Sequence, residues 1–346
     1  MHKQEASAQR MMNYLYNLPE QFKQVLQMDL GIAGSGTKYN HILVSGLGGS
    51  GIGGDILRTF ALQEARIPVI VNRDYNIPQF ADSNTLAFIT SYSGNTEETL
   101  GAYQQAKSRG ARIICITSGG SLEKMAINDG YELLKIPGGL VPRAANGYLF
   151  APMVLALEKL GLVSGAREQL EETVQVMERI RQSLTPDVDK PDNPAKAIAA
   201  ELKDSLPIIW ATQGISETAA MRWKGQINEN AKAPAYYNVF PELNHNEIVG
   251  FKVPSDLLSR VVVVLLTDKY DHPRIKKRIE ITRNVVKNQV KNIIEVNSEG
   301  ESFLARLYSL IYIGDYSSVY LAYEYGLDPT PVEVIDYLKA ELGKVV

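Results

Sequence analysis

The sequence predicts an α/β protein built from two successive halves, each a mainly parallel sheet flanked by helices in an αβα sandwich. Apolar strand-like runs alternate with helical patterns in the first half, and the same alternation restarts after a turn-rich segment. With 346 residues, the chain is also longer than a single hydrophobic core usually accommodates. We therefore expect two domains of similar design, residues 1–155 and 156–346.

In the first half, short apolar runs rich in β-branched residues indicate strands. The predicted strands are 42–44, 67–71, 85–90, 112–117 and 131–136. A single amphipathic helix is expected over 6–28, and helices near 96–109 and 120–128 fall between the later strands. Strands that alternate with helices form βαβ units, so this order favours a parallel sheet covered on both faces.

The second half opens with helices and then repeats the strand–helix pattern. A long helix near 143–161 and a charged helix over roughly 165–183 precede a turn-rich connection at 185–194. Further helices are expected near 216–230, 273–288, 301–326 and 331–342. The strands expected between or before them are 206–212, 235–240, 260–267 and 292–296.

Composition and charge are those of an ordinary globular protein, with 45% hydrophobic and 22% charged residues. The net charge of −3 attracts neither nucleic acid nor anionic lipid, so neither is an expected partner. The only cysteine, Cys115, cannot form an intramolecular disulfide, and the N-terminus lacks a signal-peptide core. The longest apolar run, Val261–Leu266, is too short to span a membrane. We expect a cytoplasmic protein.

A glycine-rich loop follows the first predicted strand. The segment SGLGGSGIGG (45–54) contains the motif G-x-G-x-x-G, and Asp74 follows where the ribose-binding acid of a dinucleotide site would lie. The loop holds more glycine than that motif needs, and it contains Ser50. Backbone N–H groups around Gly49 and Ser50 would suit an anion at a helix N-terminus. A tight turn without any ligand is the alternative.

A second loop is rich in hydroxyl groups. The segment SYSGNTEET follows the strand at 85–90 and opens a helix. Asn95 followed by Glu98 fits a capping box, which is ordinary helix-start chemistry. A cap needs only one such group, whereas three hydroxyl side chains cluster here: Ser91, Ser93 and Thr96. Hydroxyl and N–H donors at a positive helix end suit a phosphate monoester. Since no G-x-x-x-x-G-K-[ST] loop is present, a phosphosugar is a better candidate than a nucleoside triphosphate.

Seven segments in order along the chain carry a resemblance to one family. They are GLGGSGIGGD (46–55), NRDYNIP (72–78), SYSGNTEETL (91–100), GLVPRAANGY (139–148), NENAKAP (228–234), PELNHNEIVGF (241–251) and DPTPVEVIDYLK (328–339). The chain resembles the archaeal and bacterial bifunctional phosphoglucose/phosphomannose isomerases, which are two-domain members of the sugar isomerase (SIS) superfamily. The resemblance implies two SIS domains. It also implies interconversion of glucose, fructose and mannose 6-phosphates through a cis-enediol, without a cofactor.

The resemblance also implies a role for individual residues. Glu229 matches the base that moves a proton between C1 and C2. His245 matches the residue that helps open the sugar ring from the neighbouring subunit of a homodimer, which implies a shared active site. Arg143 would stabilise the enediolate oxygens, Lys339 would assist ring opening, and Thr330 would shape the pocket at C2. The phosphate would lie against Gly49, Ser50, Ser91, Ser93 and Thr96.

Taken without the family motifs, these residues have ordinary interpretations. Glu229, Arg143 and Lys339 lie near helix ends or on an amphipathic helix, where charged side chains normally face solvent. Glu242 and Glu247 flank His245 and are alternative acids. H-E-x-x-H, C-x-x-C and His-x-His motifs are absent, so we expect no metal site.

Three other functions are open at this level. A non-catalytic sugar-phosphate sensor could use the same fold, although such regulators usually carry a helix-turn-helix, and the segment before the first strand is too short for one. A nicotinamide-linked dehydrogenase would use the glycine loop differently. An isomerase acting on an aminosugar or another phosphosugar is a closer alternative.

Overall fold

The computed structural model describes residues 2–34 and 37–344 and forms two compact units. The five-stranded unit consists of residues 17–181 and 298–309. The four-stranded unit consists of residues 2–16, 182–297 and 310–344. The chain therefore leaves the four-stranded unit after its first helix and returns to it twice.

The regular elements of the described residues follow one another in this order: α1 (His2–Tyr16), α2 (Leu18–Leu26), β1 (His41–Ser45), α3 (Gly48–Glu64), β2 (Val69–Asn72), β3 (Thr85–Thr90), α4 (Glu97–Ser108), β4 (Arg112–Thr117), α5 (Gly120–Asp129), β5 (Glu132–Lys135), α6 (Asn146–Lys159), α7 (Ala166–Arg181), α8 (Pro194–Leu202), β6 (Leu206–Thr212), α9 (Ile215–Gln226), β7 (Tyr236–Phe240), α10 (Ser255–Leu258), β8 (Val261–Thr267), α11 (Pro273–Val286), β9 (Asn292–Asn297), α12 (Phe303–Glu324) and α13 (Glu333–Leu342). Short 3-10 turns occur at Pro142–Ala144, Lys190–Asp192, Glu242–Asn244 and Glu247–Gly250, and a π turn occurs at Ile227–Ala231.

The five-stranded unit contains a parallel sheet with the strand order β2-β1-β3-β4-β5. Strand β1 pairs with β2 on one side, through Val44 and Val71, and with β3 on the other, through Val44 and Phe88. The strand order therefore reverses between β1 and β3. In parallel α/β sheets, ligands bind outside the carboxyl ends of the strands at such a reversal. The loops that follow β1 and β3 are the two loops that the sequence singles out.

Buried apolar residues fill both faces of this sheet, which is why its central strands are almost continuously hydrophobic. Every residue of β1 and β3 is buried. On one face, Leu43, Ile89 and Ile113 belong to a cluster that also holds Tyr103 of α4. This packing fixes the carboxyl ends of β1 and β3, from which both loops leave.

The four-stranded unit repeats the design with the parallel order β7-β6-β8-β9. The order again reverses, here between β6 and β8. Trp210 of β6 packs edge-on against Phe240 and Phe251 in the core of this unit. The prediction of two α/β halves, each with a parallel sheet flanked by helices, is confirmed.

One predicted helix is wrong, and one helix was not predicted. The sequence predicts one helix over 6–28, but α1 ends at Tyr16 and α2 begins at Leu18. Pro19 lies in the first turn of α2, where the missing N–H costs nothing, whereas inside a continuous helix it would remove a hydrogen bond. Helix α8 follows the turn-rich segment unpredicted. Its signal was Asn193–Pro194, since the Asn193 side chain accepts a hydrogen bond from Lys196 N.

The division between the units differs from the boundary expected from the sequence. The position 155/156 falls inside the continuous helix α6, and the chain passes to the four-stranded unit after Arg181. Helices α6 and α7 stay with the five-stranded unit because apolar residues such as Leu149, Leu170 and Met177 are buried there. The amino-terminal region of the α12 helix also belongs to that unit, where Tyr308 packs against Phe22.

Candidate functional site

The glycine loop of the five-stranded unit packs against the end of β3. Gly49 and Ser50 lie in the first turn of α3. A Cβ atom on Gly46 would come within 2.7 Å of Thr90 Oγ1 and 2.8 Å of the Thr90 carbonyl oxygen, so a side chain cannot be placed there. Glycine at this position lets the loops after β1 and β3 meet.

The hydroxyl loop is held by hydrogen bonds among its own polar groups. Ser91 Oγ and Thr96 Oγ1 are 2.9 Å apart, and Ser91 Oγ accepts a hydrogen bond from Gly94 N at 3.1 Å. Ser91 is buried, whereas Ser93 is exposed and its Oγ accepts from Asn95 N at 3.3 Å. Thr96 is the N-cap residue of α4. The hydroxyl groups of Ser91 and Thr96 therefore lie together at the positive end of a helix.

The capping box expected from Asn95 and Glu98 is wrong. The residue that precedes α4 is Thr96. Asn95 Oδ1 instead accepts hydrogen bonds from the N and Oγ atoms of Ser121, each at 3.0 Å, and so ties the loop to the start of α5. The amide is used to join two neighbouring loops, which a search for local helix signals cannot detect.

The two loops are joined directly. Ser50 Oγ accepts a hydrogen bond from Tyr92 N at 3.3 Å, and Thr90 Oγ1 donates to the Ser50 carbonyl oxygen at 3.4 Å. Ser50 is buried beside the hydroxyl loop. The structure thus brings the predicted phosphate-binding residues of both loops to one edge of the sheet.

Arg143 lies against the same edge. It belongs to the 3-10 turn Pro142–Ala144, and only 4% of its surface is exposed. A Cβ atom on Gly49 would lie 2.4 Å from the Pro142 carbonyl oxygen and 2.9 Å from Arg143 N. The backbone of Arg143 therefore packs against the glycine loop, which places the Arg143 turn next to the hydroxyl and N–H donors.

A buried glutamine, which the sequence did not single out, holds the Arg143 turn from behind. Gln21 of α2 donates from Nε2 to the Ala144 carbonyl oxygen at 2.7 Å and accepts at Oε1 from Gly147 N at 3.1 Å. Gln21 is itself buried. The only sequence signal was a polar residue on the apolar face of α2.

The segment after β2 supports the glycine loop through an ion pair. Arg73 binds the buried carboxylate of Asp55 and donates to the Gly51 carbonyl oxygen at 3.3 Å. Asp74, the possible ribose ligand, accepts from Asn76 N at 3.3 Å and so belongs to a local turn. Arg73 therefore supports the glycine loop, and Asp74 shapes the turn that follows β2.

In the four-stranded unit, Glu229 lies on a π turn. Helix α9 continues into the π turn Ile227–Ala231, which ends at Lys232 with a φ of 57°. Such turns are rare and are found often at functional sites, because they redirect the side chains of a helix. Glu229 is half-buried. Helix propensity predicts a continuous helix here and gives no sign of the π turn.

Lys232 brings the Glu229 turn beside Thr330. Its Nζ donates to the Glu229 carbonyl oxygen at 2.5 Å and to the Pro329 carbonyl oxygen at 3.3 Å. Thr330 is buried, and its N donates to Asp328 Oδ1 at 2.8 Å. Two of the predicted residues, Glu229 and Thr330, are therefore on neighbouring segments.

Helix α12 anchors the same turn. Arg222 of α9 forms a buried ion pair with Asp315, with 2.7 Å between Nη2 and Oδ2. Burial raises the pKa of Asp315, and the guanidinium of Arg222 opposes that rise. Asn230 Nδ2 donates to Ser318 Oγ at 2.9 Å. The contacts fix the helix before Glu229 and the residue after it.

His245 and Lys339 are exposed, on two further elements of this unit. His245 ends the turn Glu242–Asn244, and Lys339 lies on α13. Helix α13 also exposes apolar side chains, with Val334 at 82% and Tyr337 at 68%. Lys232 links the Glu229 turn to the residue before Thr330. His245 and Lys339 lie on other elements, and the hydrogen bonds described above do not link them to that turn.

The acids that flank His245 have structural partners. Glu247 accepts hydrogen bonds from Trp210 Nε1 and Asn238 Nδ2, both at 2.6 Å. Glu242 Oε1 accepts from Asn246 Nδ2 at 3.1 Å. Glu247 therefore serves to hold its loop on the sheet.

The corresponding loop edge of the four-stranded unit is acidic. Thr212 Oγ1 donates to Asp271 Oδ1 at 2.6 Å, and Glu217 accepts from Gly214 N at the start of α9. Burial raises the pKa of Asp271. Carboxylates take the place that the hydroxyl groups of Ser91 and Thr96 take in the five-stranded unit, so this edge suits an anion less well.

Residues 2–34 and 37–344 hold neither a cluster of metal-binding side chains nor a helix that could span a membrane. No three or more His, Cys, Asp or Glu side chains are grouped there so that they could hold a metal ion. No helix in those ranges is long and apolar enough to cross a membrane.

Two family profiles match the chain. Residues 191–342 match the bacterial phospho-glucose isomerase C-terminal SIS domain, and residues 37–129 match the SIS domain. Among solved structures, a hypothetical protein of Thermus thermophilus superposes with a TM-score of 0.74 at 15% identity, covering 99% of this chain and 94% of that one. The C-terminal domain of glucosamine-fructose-6-phosphate aminotransferase from Francisella tularensis gives 0.69 at 15% identity, with coverages of 93% and 98%. At such identities, these likenesses concern the fold alone.

Curated relatives are similar along two thirds or more of the chain. A bifunctional phosphoglucose/phosphomannose isomerase of Caldicellulosiruptor bescii is 48% identical, over 97% of this chain and 99% of the relative. One of Aquifex aeolicus is 35% identical, over 96% and 99%. A D-glucosamine-6-phosphate 4-epimerase of Sulfolobus acidocaldarius is 31% identical, over 67% and 74%. On the profiles and the full-length relatives, this chain belongs to the bifunctional phosphoglucose/phosphomannose isomerase family of SIS-domain proteins.

Proposed function

We propose that this protein interconverts glucose 6-phosphate and fructose 6-phosphate, and mannose 6-phosphate and fructose 6-phosphate, without a metal ion. The observation that carries the proposal is the meeting of Ser50, Ser91, Thr96 and Arg143 at one sheet edge. It occurs in a chain that is 48% identical, over 97% of its length, to a relative of that name. Hydroxyl and N–H donors together with a buried arginine suit a phosphorylated, oxygen-rich substrate.

In the proposed mechanism, the glycine loop and the hydroxyl loop supply the phosphate site. Gly49, Ser50, Ser91, Ser93 and Thr96 bind the phosphate group. The arrangement that supports this assignment is the pair of hydroxyls, Ser91 and Thr96, at the N-terminus of α4. Arg143 provides a fixed positive charge for the enediolate, and its backbone contact with Gly49 gives that charge a rigid support.

The proposed acid–base groups are Glu229, His245 and Lys339. The Glu229 carboxylate removes the proton from C2 of the open-chain aldose and returns it to C1, while the hydroxyl proton passes from O2 to O1. His245 and Lys339 assist ring opening. Thr330 shapes the pocket at C2, where reprotonation on either face yields the glucose or the mannose epimer. The contact that Lys232 makes with both segments supports a joint role for Glu229 and Thr330.

We further propose a cytoplasmic homodimer in which His245 of the partner subunit completes each active site. The exposure of His245 and of the apolar residues on α13 supports an oligomer, since large exposed apolar side chains mark interaction surfaces. The lone, buried Cys115 is consistent with a reducing compartment.

The test of the function is a product analysis with EDTA-treated protein and fructose 6-phosphate. We expect both glucose 6-phosphate and mannose 6-phosphate to form. Glucose 6-phosphate alone would contradict the dual specificity, and binding of fructose 6-phosphate without turnover would favour the sensor. Loss of activity in EDTA that Zn²⁺ restores would contradict metal independence.

The role of Glu229 is tested by the Glu229→Gln variant. Turnover should fall by at least about a thousandfold, because the amide cannot accept the C2 proton, while substrate binding changes little. Glu324→Gln is the matched control, since Glu324 is an exposed carboxylate of the same unit, 3.5 Å from Lys203. Normal turnover of Glu229→Gln would exclude it as the base.

The relative named D-glucosamine-6-phosphate 4-epimerase favours one further candidate activity. It is 31% identical over 67% of this chain, less than the isomerase relatives described above. Glucosamine 6-phosphate should therefore be included as a substrate. Formation of its C4 epimer at a rate above that of fructose 6-phosphate isomerisation would replace the main proposal.

A further inference from the structure

We infer that Tyr92 is a positioning residue that sets the place of Arg143, acting through the loop between β5 and the Arg143 turn. The inference rests on the proposed function, because it assigns Tyr92 a task in the isomerisation. It concerns a side chain of the hydroxyl loop that the phosphate-binding assignment leaves without a role.

The phenol of Tyr92 bridges the loop that leads to Arg143. Its hydroxyl donates to the Pro137 carbonyl oxygen at 3.1 Å and accepts from Leu140 N at 2.9 Å. Only 6% of Tyr92 is exposed. One buried side chain therefore makes hydrogen bonds to both ends of the segment Pro137–Leu140.

The backbone of Tyr92 contacts two other loops. Its N–H donates to Ser50 Oγ at 3.3 Å, in the glycine loop. Its carbonyl oxygen accepts from Ser118 N at 3.1 Å and from Ser118 Oγ at 2.6 Å, in the loop after β4. The main chain of Tyr92 is thus fixed to the loops at the carboxyl ends of the strands. Its phenol binds the loop that leads to Arg143 and so ties that loop to the same end of the sheet.

The loop needs such a support because it contains two adjacent glycines. Gly138 and Gly139 lie inside the segment that the phenol spans, and Gly139 has a φ of 89°. Beyond it, the Pro142 carbonyl oxygen and Arg143 N pack onto Gly49. Because glycine restricts the backbone less than other residues do, the hydrogen bond at Leu140 helps to fix the position of the Arg143 turn. Catalysis by a fixed charge depends on that position.

Tyr92 is not itself a catalytic residue. Its hydroxyl proton is directed to the Pro137 carbonyl oxygen, and its hydroxyl oxygen accepts from Leu140 N. An effect of Tyr92 on turnover should therefore pass through Arg143. This distinguishes it from Ser91 and Thr96, which are proposed to bind the phosphate.

The test compares Tyr92→Phe with Tyr103→Phe. Tyr103 is a buried tyrosine of the same unit whose hydroxyl donates to Asp129 Oδ2 at 2.6 Å and lies 3.1 Å from the Met125 carbonyl oxygen, both on α5. We expect Tyr92→Phe to lower kcat for fructose 6-phosphate about ten- to a hundredfold and to change its KM by less than about threefold. Binding of inorganic phosphate, measured by calorimetry, should be unchanged. Tyr103→Phe should retain kcat, KM and phosphate binding.

A double-mutant cycle with Arg143→Met decides whether the effect passes through the arginine. If it does, Tyr92→Phe should reduce kcat no further in the Arg143→Met background. Full additivity of the two changes would overturn the inference, as would equal kcat values for Tyr92→Phe and the wild type. If the wild type turns over and Tyr92→Phe has the same kcat, this inference is overturned and the proposed function stands. Absence of turnover in the wild type overturns the proposed function and the inference with it.

Discussion

Gly49, in the first turn of α3, leaves no room for a side chain between that helix and the Arg143 turn. Its hypothetical Cβ atom would lie 2.4 Å from a backbone oxygen, and backbone cannot move aside as a flexible side chain can. Gly53, one turn further along α3, differs, since its Cβ atom would lie 3.5 Å from Leu149, an ordinary van der Waals distance. Glycine is therefore required by close backbone contact at Gly49, whereas at Gly53 the helix packing leaves room for a methyl group.

We therefore predict that Gly49→Ala disturbs the site and Gly53→Ala does not. The added methyl of Gly49→Ala should displace the Arg143 turn, destabilise the protein by about 1–3 kcal/mol and lower kcat at least about tenfold. Gly53→Ala should keep both the unfolding free energy and kcat close to those of the wild type. Urea unfolding and steady-state kinetics on both variants provide the check. Equal behaviour of the two would show that the contact at Gly49 is unimportant.

At the scale of elements, helix α12 holds both α9 and the π turn after it, on which Glu229 lies. The Arg222–Asp315 ion pair is buried on both sides, and Asn230 binds Ser318 one turn further along α12. A second arginine offers a contrast, since Arg283 pairs with Glu295 at 3.1 Å while about half of its side chain is exposed. Removing one partner of a buried ion pair strongly lowers the free energy of unfolding, whereas an exposed ion pair contributes little to it.

Arg222→Met should therefore destabilise the protein by about 3–5 kcal/mol, because Asp315 is left as a buried, unpaired charge. Arg283→Met should cost less than about 1 kcal/mol. Loss of the guanidinium should raise the pKa of Asp315 further above its unfolded value. The loss of unfolding free energy in Arg222→Met should then become smaller as the pH falls towards about 4 and larger as the pH rises. Urea unfolding at two pH values measures this, and a deficit independent of pH would contradict the buried charge.

At the scale of the whole molecule, the two units repeat one architecture and carry different chemistry. The loop edge of the five-stranded unit has hydroxyls and Arg143, whereas that of the four-stranded unit has Asp271 and Glu217. The four-stranded unit contributes Glu229 on its π turn and exposes His245 and the apolar side of α13. Duplication of a fold does not duplicate a site, because the site depends on the loops.

A shared active site predicts complementation between inactive variants. Glu229→Gln and His245→Ala should each be nearly inactive alone. When the two are coexpressed, mixed dimers contain one site with both residues intact, so about a quarter of the wild-type activity should return. Coexpression of either variant with itself is the control. If no activity returns although mixed dimers form, His245 acts within its own chain or not at all.

Much of the fold could be predicted because its signals are local. The strands of both sheets are apolar runs separated by glycines and helical patterns, and each appears close to its expected position. The break before Pro19 and the cap at Asn193 were present in the sequence but were outweighed by the surrounding helical pattern and the turn-rich composition. The capping box predicted at Asn95 was wrong because the Asn95 side chain accepts a hydrogen bond from Ser121, and no local pattern reveals that contact.

The hydroxyl and glycine loops were determined by the sequence itself, since a strand, a small-residue turn and a helix start are consecutive features of the chain. Only the tertiary structure placed Arg143 on Gly49, Tyr92 across Pro137 and Leu140, and Lys232 between Glu229 and Pro329. Those contacts join segments that are distant in the chain. Their partners are chosen by the order of parallel strands and by space-filling between loops, which local spacing does not encode.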